Sequence, residues 1–399
     1  MKILCISQYF TPDVTAAAYR ISESVNLLRA NGHEVYVITS YPHKSEVSLG
    51  KDVEQAETHV IRLPVGAIRG SGVRDYLEQY LGFAARSLFA AIKLRRKHKI
   101  DVVWASSPPL FVGITTLMLQ LLYRIPVVFD IRDLWPASAV DIGKIRAGSL
   151  MARAGSFLES MIYRRSSALT CVSDSIRTHI RSKTQRPVEI VYNGVLMENV
   201  RHGVTEGVSP KTICYAGNLG HAQGLDVVLA AFERLLRTSG HEGCRLRLIG
   251  GGAVEAQLKA SVQRQGIGAS VDFVGVLNKS AVFGELEKCG VLLIPLMDTK
   301  TFENAIPSKI FDYMAVGNPI IATVRGEAAV ILGQSGGNRV VAPGDVDALY
   351  AALCDMEQDW PQYAERAKNN IPQVKQSYSR EAATAVLKRV LATACGEKE

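Results

Sequence analysis

Residues 212–225 read Thr212-Ile213-Cys214-Tyr215-Ala216-Gly217-Asn218-Leu219-Gly220-His221-Ala222-Gln223-Gly224-Leu225. A short apolar run meets three glycines and then opens a long amphipathic segment. Strand, glycine turn and helix in that order form one step of a parallel βα array covered on both faces. The same array has already run once upstream. Apolar runs at Lys2–Ser7, Glu34–Thr39, His59–Leu63, Val102–Ala105, Pro126–Asp130, Ala168–Val172 and Val188–Val191 alternate there with segments such as Ala17–Asn31, which Gly32 would cap. The turn Tyr192-Asn193-Gly194 and the polar stretch Met197–Lys211 interrupt it. After Thr212–Ala216 the runs resume at Arg245–Ile249, Val271–Val274, Val291–Pro295, Pro319–Thr323 and Arg339–Val341. The pattern predicts an α/β chain of two doubly wound Rossmann-like domains facing a central cleft. The expected boundaries are 1–195 and 196–375, with a last helical segment, about 376–399, packing back on the first domain.

The bulk numbers agree with two domains. A chain of 399 residues exceeds one ordinary core. With 47% hydrophobic and 21% charged residues it is neither disordered nor fibrous. Residues 1–200 hold 25 Lys+Arg against 17 Asp+Glu, whereas residues 201–399 hold 21 of each. The whole surplus of eight positive charges therefore sits in the first half, which suits an anionic partner: nucleic acid, a membrane surface or a phosphorylated substrate. No base-stacking or groove-reading motif accompanies the charge, which argues against nucleic acid. The longest predominantly apolar stretch, Leu110–Tyr123, has 14 residues, short of the ~20 that span a bilayer. The start, Met1–Ser7, lacks a small-residue cleavage site and reads as a buried strand. Seven scattered cysteines form no zinc-type pair and no disulfide framework, which favours the cytoplasm.

In such sheets ligands bind beyond the carboxyl ends of the strands. Gly217–Gly224 leaves a strand and opens a helix, so its backbone can approach a phosphate; the alternative is a plain βα turn. Gly250-Gly251-Gly252 invites a nicotinamide reading, with Asp272 at the ribose spacing, but Glu255 stands where the third glycine belongs. Close backbone approach to a base or sugar fits it better. In Ile306-Pro307-Ser308-Lys309-Ile310-Phe311-Asp312, Pro307 suits a first helical turn. Ser308 and Lys309 then bring a hydroxyl and a cation to the helix N-terminus, where a pyrophosphate is favoured. Asp312, one turn on, could accept two hydrogen bonds from a ribose diol. Asp130-Ile131-Arg132-Asp133-Leu134-Trp135-Pro136 gathers two carboxylates, a guanidinium and an indole at a strand end. That suits a sugar or a phosphate, or else an Asp–Arg pair fixing a loop. Tyr76–Lys99 has helical apolar spacing and a basic end, Arg95–Lys99, compatible either with core packing or with an anionic bilayer.

Taken together these features resemble the family 4 glycosyltransferases, which have the GT-B fold. Ile6-Ser7-Gln8-Tyr9-Phe10-Thr11-Pro12 and Gly32-His33-Glu34-Val35 are similar to that family's start, Tyr192-Asn193-Gly194-Val195 to its domain crossover, and Gly217–Gly224 with Pro307–Ala315 to its donor elements. Asp130–Pro136 resembles a branch of L-fucosamine (N-acetylfucosamine) transferases of bacterial O-antigen and capsule synthesis. The resemblance covers nearly the whole chain. It implies a retaining enzyme that uses a UDP-sugar, with no metal and no cofactor. The acceptor would be a lipid-diphosphate-linked saccharide, met at the cytoplasmic face of the inner membrane. Gly217, Asn218, Gln223, Gly251, Val274, Ser308, Lys309 and Asp312 would bind the donor. Asp130, Arg132, Asp133 and Glu303 are the catalytic candidates, and Thr15, Tyr19 and Arg20 would contact acceptor or phosphate. Four places depart from the pattern. Val14-Thr15-Ala16-Ala17 stands where a Gly-Gly is often found near Pro12. Asn218 and Gln223 stand where many members carry Arg and Lys. Asn304 stands where a glutamate is usual, with Glu303 one place off. Arg132 stands where many have His. A sugar-nucleotide epimerase, a starch-synthase-like polymerase or a non-catalytic sugar-nucleotide-binding subunit would share much of this pattern.

Overall fold

The structure is a computed structural model that describes residues 1–13, 15–42, 59–65, 73–141, 143, 145–200, 208–299, 302 and 305–396. The chain separates into two compact units, Met1–Asn193 with Arg380–Glu399, and Gly194–Ser379.

The first unit carries β1 (Lys2–Ile6), β2 (Glu34–Ser40), β3 (Val60–Leu63), β4 (Val102–Ser107), β5 (Val127–Ile131), β6 (Ala168–Cys171) and β7 (Val188–Ile190). They pair in parallel in the order β3-β2-β1-β4-β5-β6-β7, so the winding reverses between β1 and β4. Alternate residues feed two cores, as the two-residue period of a strand demands. Ile3, Cys5, Val35, Val37, Trp104 and Val128 face α1 (Ala16–Ala30) on one side. The final helix, Arg380–Ala394, packs on that same side through Ala383, Leu387, Val390 and Leu391. Leu4, Ile6, Val103, Ala105, Val127 and Phe129 face the opposite layer, which consists of α2 (Val73–Lys97), α3 (Val112–Tyr123) and α4 (Leu150–Arg165).

The second unit carries β8 (Thr212–Ala216), β9 (Arg245–Ile249), β10 (Val271–Gly275), β11 (Val291–Pro295), β12 (Ile320–Thr323) and β13 (Arg339–Val341). Their order is β10-β9-β8-β11-β12-β13, all parallel, with the reversal between β8 and β11. Two of its helices adjoin the predicted donor segments. One is α5 (Leu225–Arg237), which buries Val228, Leu229, Phe232 and Leu235; the other is α6 (Lys309–Val316), buried along Ile310, Phe311, Tyr313 and Met314. Crevices at such reversals, outside the carboxyl ends of the strands, are where doubly wound sheets bind ligands. Both predicted site regions leave strands at those ends.

Candidate active-site residues

In the second unit two glycine loops leave adjacent strands and are knitted together. The Gly217 N–H donates to the Ile249 carbonyl (2.9 Å), Leu219 N–H to Gly251 O (2.9 Å) and Val254 N–H to Leu219 O (3.0 Å). A Cβ at Gly250 would lie 2.0 Å from the Gly217 carbonyl oxygen, and one at Gly252 2.4 Å from that of Leu219. These glycines therefore serve loop-to-loop contact, where the sequence suggested approach to a base or sugar. Gly251 is the one of the three whose added Cβ would meet only side chains, Val276 and Glu255. Val274 is half-buried at the end of β10 beside it. Asp272 is held by both donor arms of Arg245 (2.7 and 3.2 Å), so it is engaged in a pair rather than set out for a ribose.

Lys309 opens α6 and reaches back to β8. Its Nζ sits 3.8 Å from the centroid of the Tyr215 ring, a cation–π geometry. A Cβ added at Gly217 would fall 2.7 Å from the same Nζ, so only glycine leaves the ammonium this close to the loop. The Nζ is shielded from solvent and has no hydrogen-bond partner among the described residues. Burial lowers its pKa to about 7, against the opposing pull of Asp312 one turn on. Ser308 precedes it in helical conformation and makes no side-chain cap, leaving its hydroxyl outside the helix's own hydrogen bonding. Asn218 and Gln223 lean together over Gly220, whose added Cβ would meet Asn218 Nδ2 at 2.6 Å and Gln223 Oε1 at 3.0 Å. That Oε1 is buried and unpaired. The structure thus gathers Gly217, Asn218, Gln223, Ser308, Lys309 and Asp312 around the end of β8. Two scaffold residues escaped the sequence reading. Tyr313 accepts the Ala216 N–H (2.7 Å) and donates to its carbonyl (3.1 Å), while the Tyr215 hydroxyl donates to Asn218 O (2.7 Å). Their signal was faint: aromatic residues at a strand end and four places after Lys309.

In the first unit the structure corrects several expectations. Asp130 is fully buried. Its carboxylate accepts from Arg20 (2.8 Å), Ser106 (2.9 Å) and Thr170 (2.7 Å). The rest of the Arg20 guanidinium donates to the carbonyls of Val191 and Tyr192 and to Asn193 Oδ1. Both residues are closed off in a pair that ties α1 to β5 and to the Val191–Asn193 segment, so neither is placed to touch a substrate. Thr15 caps α1, accepting the Ala18 N–H at 3.1 Å. Tyr19 is half-buried on the first turn of that helix. Glu303 and Asn304 lie outside the described residues.

Arg132 and Asp133 differ from Asp130. Burial lowers the Arg132 pKa to about 10, with Arg20 and Arg380 adding repulsion and Asp130 opposing it. Its Nε is buried and unpaired. Asp133 is exposed and accepts from the Ser138 hydroxyl (3.0 Å); desolvation pushes its pKa up while that bond draws it down. Gln8, another residue the sequence left unassigned, is fully buried just past β1, with both amide atoms unpaired. The apolar spacing of Tyr76–Lys99 resolves into core packing at Phe83, Ala91 and Leu94, with Arg95 over the Tyr123 ring (5.8 Å). Arg96, Lys97 and Lys99 are exposed.

Comparison with known proteins decides the class. Residues 15–194 match the family described as glycosyl transferase 4-like domain, and residues 210–359 match glycosyl transferases group 1. This chain belongs to the family 4 glycosyltransferases. The transferase is 26% identical to WcaI of Escherichia coli strain K12, a protein named for glycosyl transfer in colanic acid biosynthesis, over 88% of this chain and 91% of that one. Its fold matches sucrose-phosphate synthase from Thermosynechococcus elongatus, with a TM-score of 0.77 at 16% identity over the full length of both. It also matches Anabaena HepE solved with UDP, with a TM-score of 0.72 at 14% identity over 98% of this chain and 100% of that one. The transferase is thus a GT-B enzyme with one Rossmann-like sheet in each unit. No helix among the described residues is long and apolar enough to cross a membrane.

Proposed function

We propose that this transferase moves a sugar, with retention, from a UDP-sugar to a lipid-diphosphate-linked saccharide during synthesis of a bacterial surface polysaccharide. In this reading it works as a peripheral protein on the cytoplasmic face of the inner membrane. The observation that carries it is Lys309: a shielded cation without a hydrogen-bonding partner among the described residues, at a helix N-terminus, facing a glycine loop. A diphosphate would supply the missing charge and the missing hydrogen bonds. Ser308 and the first N–H groups of α6 would complete the grip, Asp312 would take the ribose, and Gly251 with Val274 would flank the base. As the sugar leaves, negative charge grows on the departing UDP, and Lys309 would stabilise that charge more than the ground state. This places the phosphate function of the family's Arg and Lys on Lys309, since Asn218 and Gln223 are neutral. The family resemblance supports retention without a metal. HepE, solved with UDP and with UDP-glucose, supports the uridine donor.

On the acceptor side, Arg132, Asp133 and Tyr19 remain candidates, together with Glu303, which lies outside the described residues. Arg132 would hold a phosphate or sugar hydroxyl, and Asp133 or the donor phosphate would take the acceptor proton. An N-acetylated amino sugar is the donor group proposed, on the likeness of Asp130–Pro136 to fucosamine transferases.

The test is a thermal-shift screen of the chain against UDP, GDP, NAD and a set of UDP-sugars. A ligand that binds only the native state raises the melting temperature. UDP compounds should shift it and GDP and NAD should not, and Lys309→Ala should abolish the shift. A shift by GDP alone would overturn the donor assignment. Binding with no donor hydrolysis under any condition would favour a non-catalytic subunit, and free sugar released without acceptor an epimerase.

A further inference from the structure

The layer formed by α2, α3 and α4 has an outer face that, among the described residues, neither the sheet nor another helix covers. Large apolar side chains stand on it: Leu81 and Phe89 on α2, Leu121 and Leu122 on α3, Leu150, Phe157 and Met161 on α4. Phe89, Leu121, Leu150 and Phe157 each leave 70–83% of their surface in water. These helices pack as one layer, with Phe83, Ala91, Val112, Leu119, Ile162 and Tyr163 in a single core beneath. The spacing on α4 shows how the face is built. Leu150, Arg153, Phe157, Met161 and Arg164 recur every three or four residues, a solvent-side stripe of apolar residues and cations. Large exposed apolar patches on a folded chain mark a surface with a partner.

Charge selects the partner. Exposed cations border the apolar residues: Lys93, Arg96 and Lys97 on α2, Arg124 after α3, and Arg153, Arg164 and Arg165 on α4. Acids are missing. From Gln79 to Arg124 the sequence has one, Asp101, whose carboxylate accepts the Lys2 N–H (2.7 Å). On α4 it has one, Glu159, which is buried and engaged by His179 and Lys183. A second copy of the chain meeting this face would set cations against cations. An apolar centre whose described border is cationic instead matches an anionic bilayer, whose interior takes the leucines and phenylalanines and whose headgroups take the arginines.

The face also leads to the acceptor residues. The Trp135 ring lies against Gly155 of α4, where an added Cβ would fall 2.6 Å from it. It meets Phe111, just before α3, in a tilted contact with ring centroids 5.2 Å apart, and Phe111 neighbours Tyr80 of α2 at 6.4 Å. A row of half-buried aromatics therefore joins the three helices to the loop carrying Arg132 and Asp133. Such residues suit the interface between lipid and water.

We propose that the outer face of α2, α3 and α4 docks on an anionic phospholipid surface, setting the Arg132–Pro136 loop at headgroup level where a lipid-linked acceptor presents its polar end. This rests on the acceptor reading proposed for the transferase and deepens it, enlarging the expected contact from Arg95–Lys99 to a three-helix surface centred on α3 and α4. The experiment is co-sedimentation of the full chain with vesicles of phosphatidylethanolamine and phosphatidylglycerol, and with vesicles of phosphatidylcholine alone. The chain should bind the first and not the second. Phe157→Glu and Leu121→Glu should each lower binding by about tenfold or more, the loss expected when a large apolar side chain no longer enters the bilayer. Their UDP-induced thermal shifts should match wild type, which checks the fold. Wild-type vesicle binding by both variants would overturn the proposal, as would equal binding to the two vesicle types. So would a dimer in sedimentation equilibrium that Phe157→Glu dissolves without loss of vesicle binding. Vesicle binding needs neither donor nor acceptor. A chain that docks but transfers nothing therefore refutes the transferase reading alone, and one that transfers to a soluble acceptor but does not dock refutes this proposal alone.

Discussion

The carboxyl end of β5 and the carboxyl end of β8 both hold buried charge, and they treat it in opposite ways. At β5, Asp130 is matched by Arg20, Ser106 and Thr170 until its carboxylate is saturated. At β8, Lys309 is held over an aromatic ring with no hydrogen-bond acceptor among the described residues. A matched buried charge is architecture, because removing either partner strands the other. An unmatched one raises the energy of the empty protein and lowers it again when a complementary ligand arrives. Arg132 is intermediate: repelled by two arginines, attracted by Asp130, and unpaired at Nε.

The largest test of this contrast is Asp130→Ala. It leaves the Arg20 guanidinium buried without its carboxylate and should cost about 3–5 kcal/mol in chemical denaturation. A variant as stable as wild type but inactive would return Asp130 to the catalytic list. Lys309→Met should do the reverse. UDP affinity should fall by roughly ten- to a hundredfold, the scale of hydrogen bonds to a charged group of about 1.5–3 kcal/mol. The melting temperature should hold or rise, since a desolvated cation is gone. Tyr313→Phe removes the hydroxyl that satisfies both backbone groups of Ala216. It should cost about 1–2 kcal/mol of stability and weaken UDP binding without touching the ligand. The smallest effect is in pH. The Lys309 pKa is lowered in the folded chain to about 7 from its ordinary value of 10.5. Between those values the unfolded chain holds the proton and the native chain does not, so Lys309 makes stability rise with pH there. A diphosphate ester favours the charged amine, so its binding takes up a proton. Affinity should be flat below about pH 7 and fall above it by at most a factor of ten per unit, about 1.4 kcal/mol. Calorimetry in buffers of different ionisation enthalpy should detect the proton, and Lys309→Met should remove it.

Much of the fold was legible because parallel strands covered on both faces read as unbroken apolar runs. Val127-Val128-Phe129 and Val291–Pro295 could be little else. The glycine loop after β8 and the Pro307–Asp312 helix start were legible for a similar reason, since their conformational needs are local. What stayed hidden was pairing across distance. Nothing periodic joins Arg20 to Asp130, 110 positions apart, so the two halves of one buried pair were read as a catalytic candidate and an acceptor contact. The glycines at 250 and 252 carried a true signal of close approach, but the partner was the neighbouring loop. The apolar spacing of α2 gave a buried stripe correctly. The solvent-side stripe on α4 is periodic in the sequence, but its continuity with the exposed leucines of α3 is a property of the packed layer.

Tyr313 has a practical consequence. It sits one turn after Lys309 on α6, and its hydroxyl grips the backbone of Ala216, the residue next to Gly217. Strand end, loop and lysine are therefore one cassette whose parts hold register through a single phenol. A graft that exchanges residues 215–224 together with 308–316 for those of another family member carries this register with it, whereas exchanging either segment alone puts an unmatched hydroxyl or an unmatched backbone pair in the core. Donor preference in this enzyme should be transplantable as a pair of segments and resistant to change in halves.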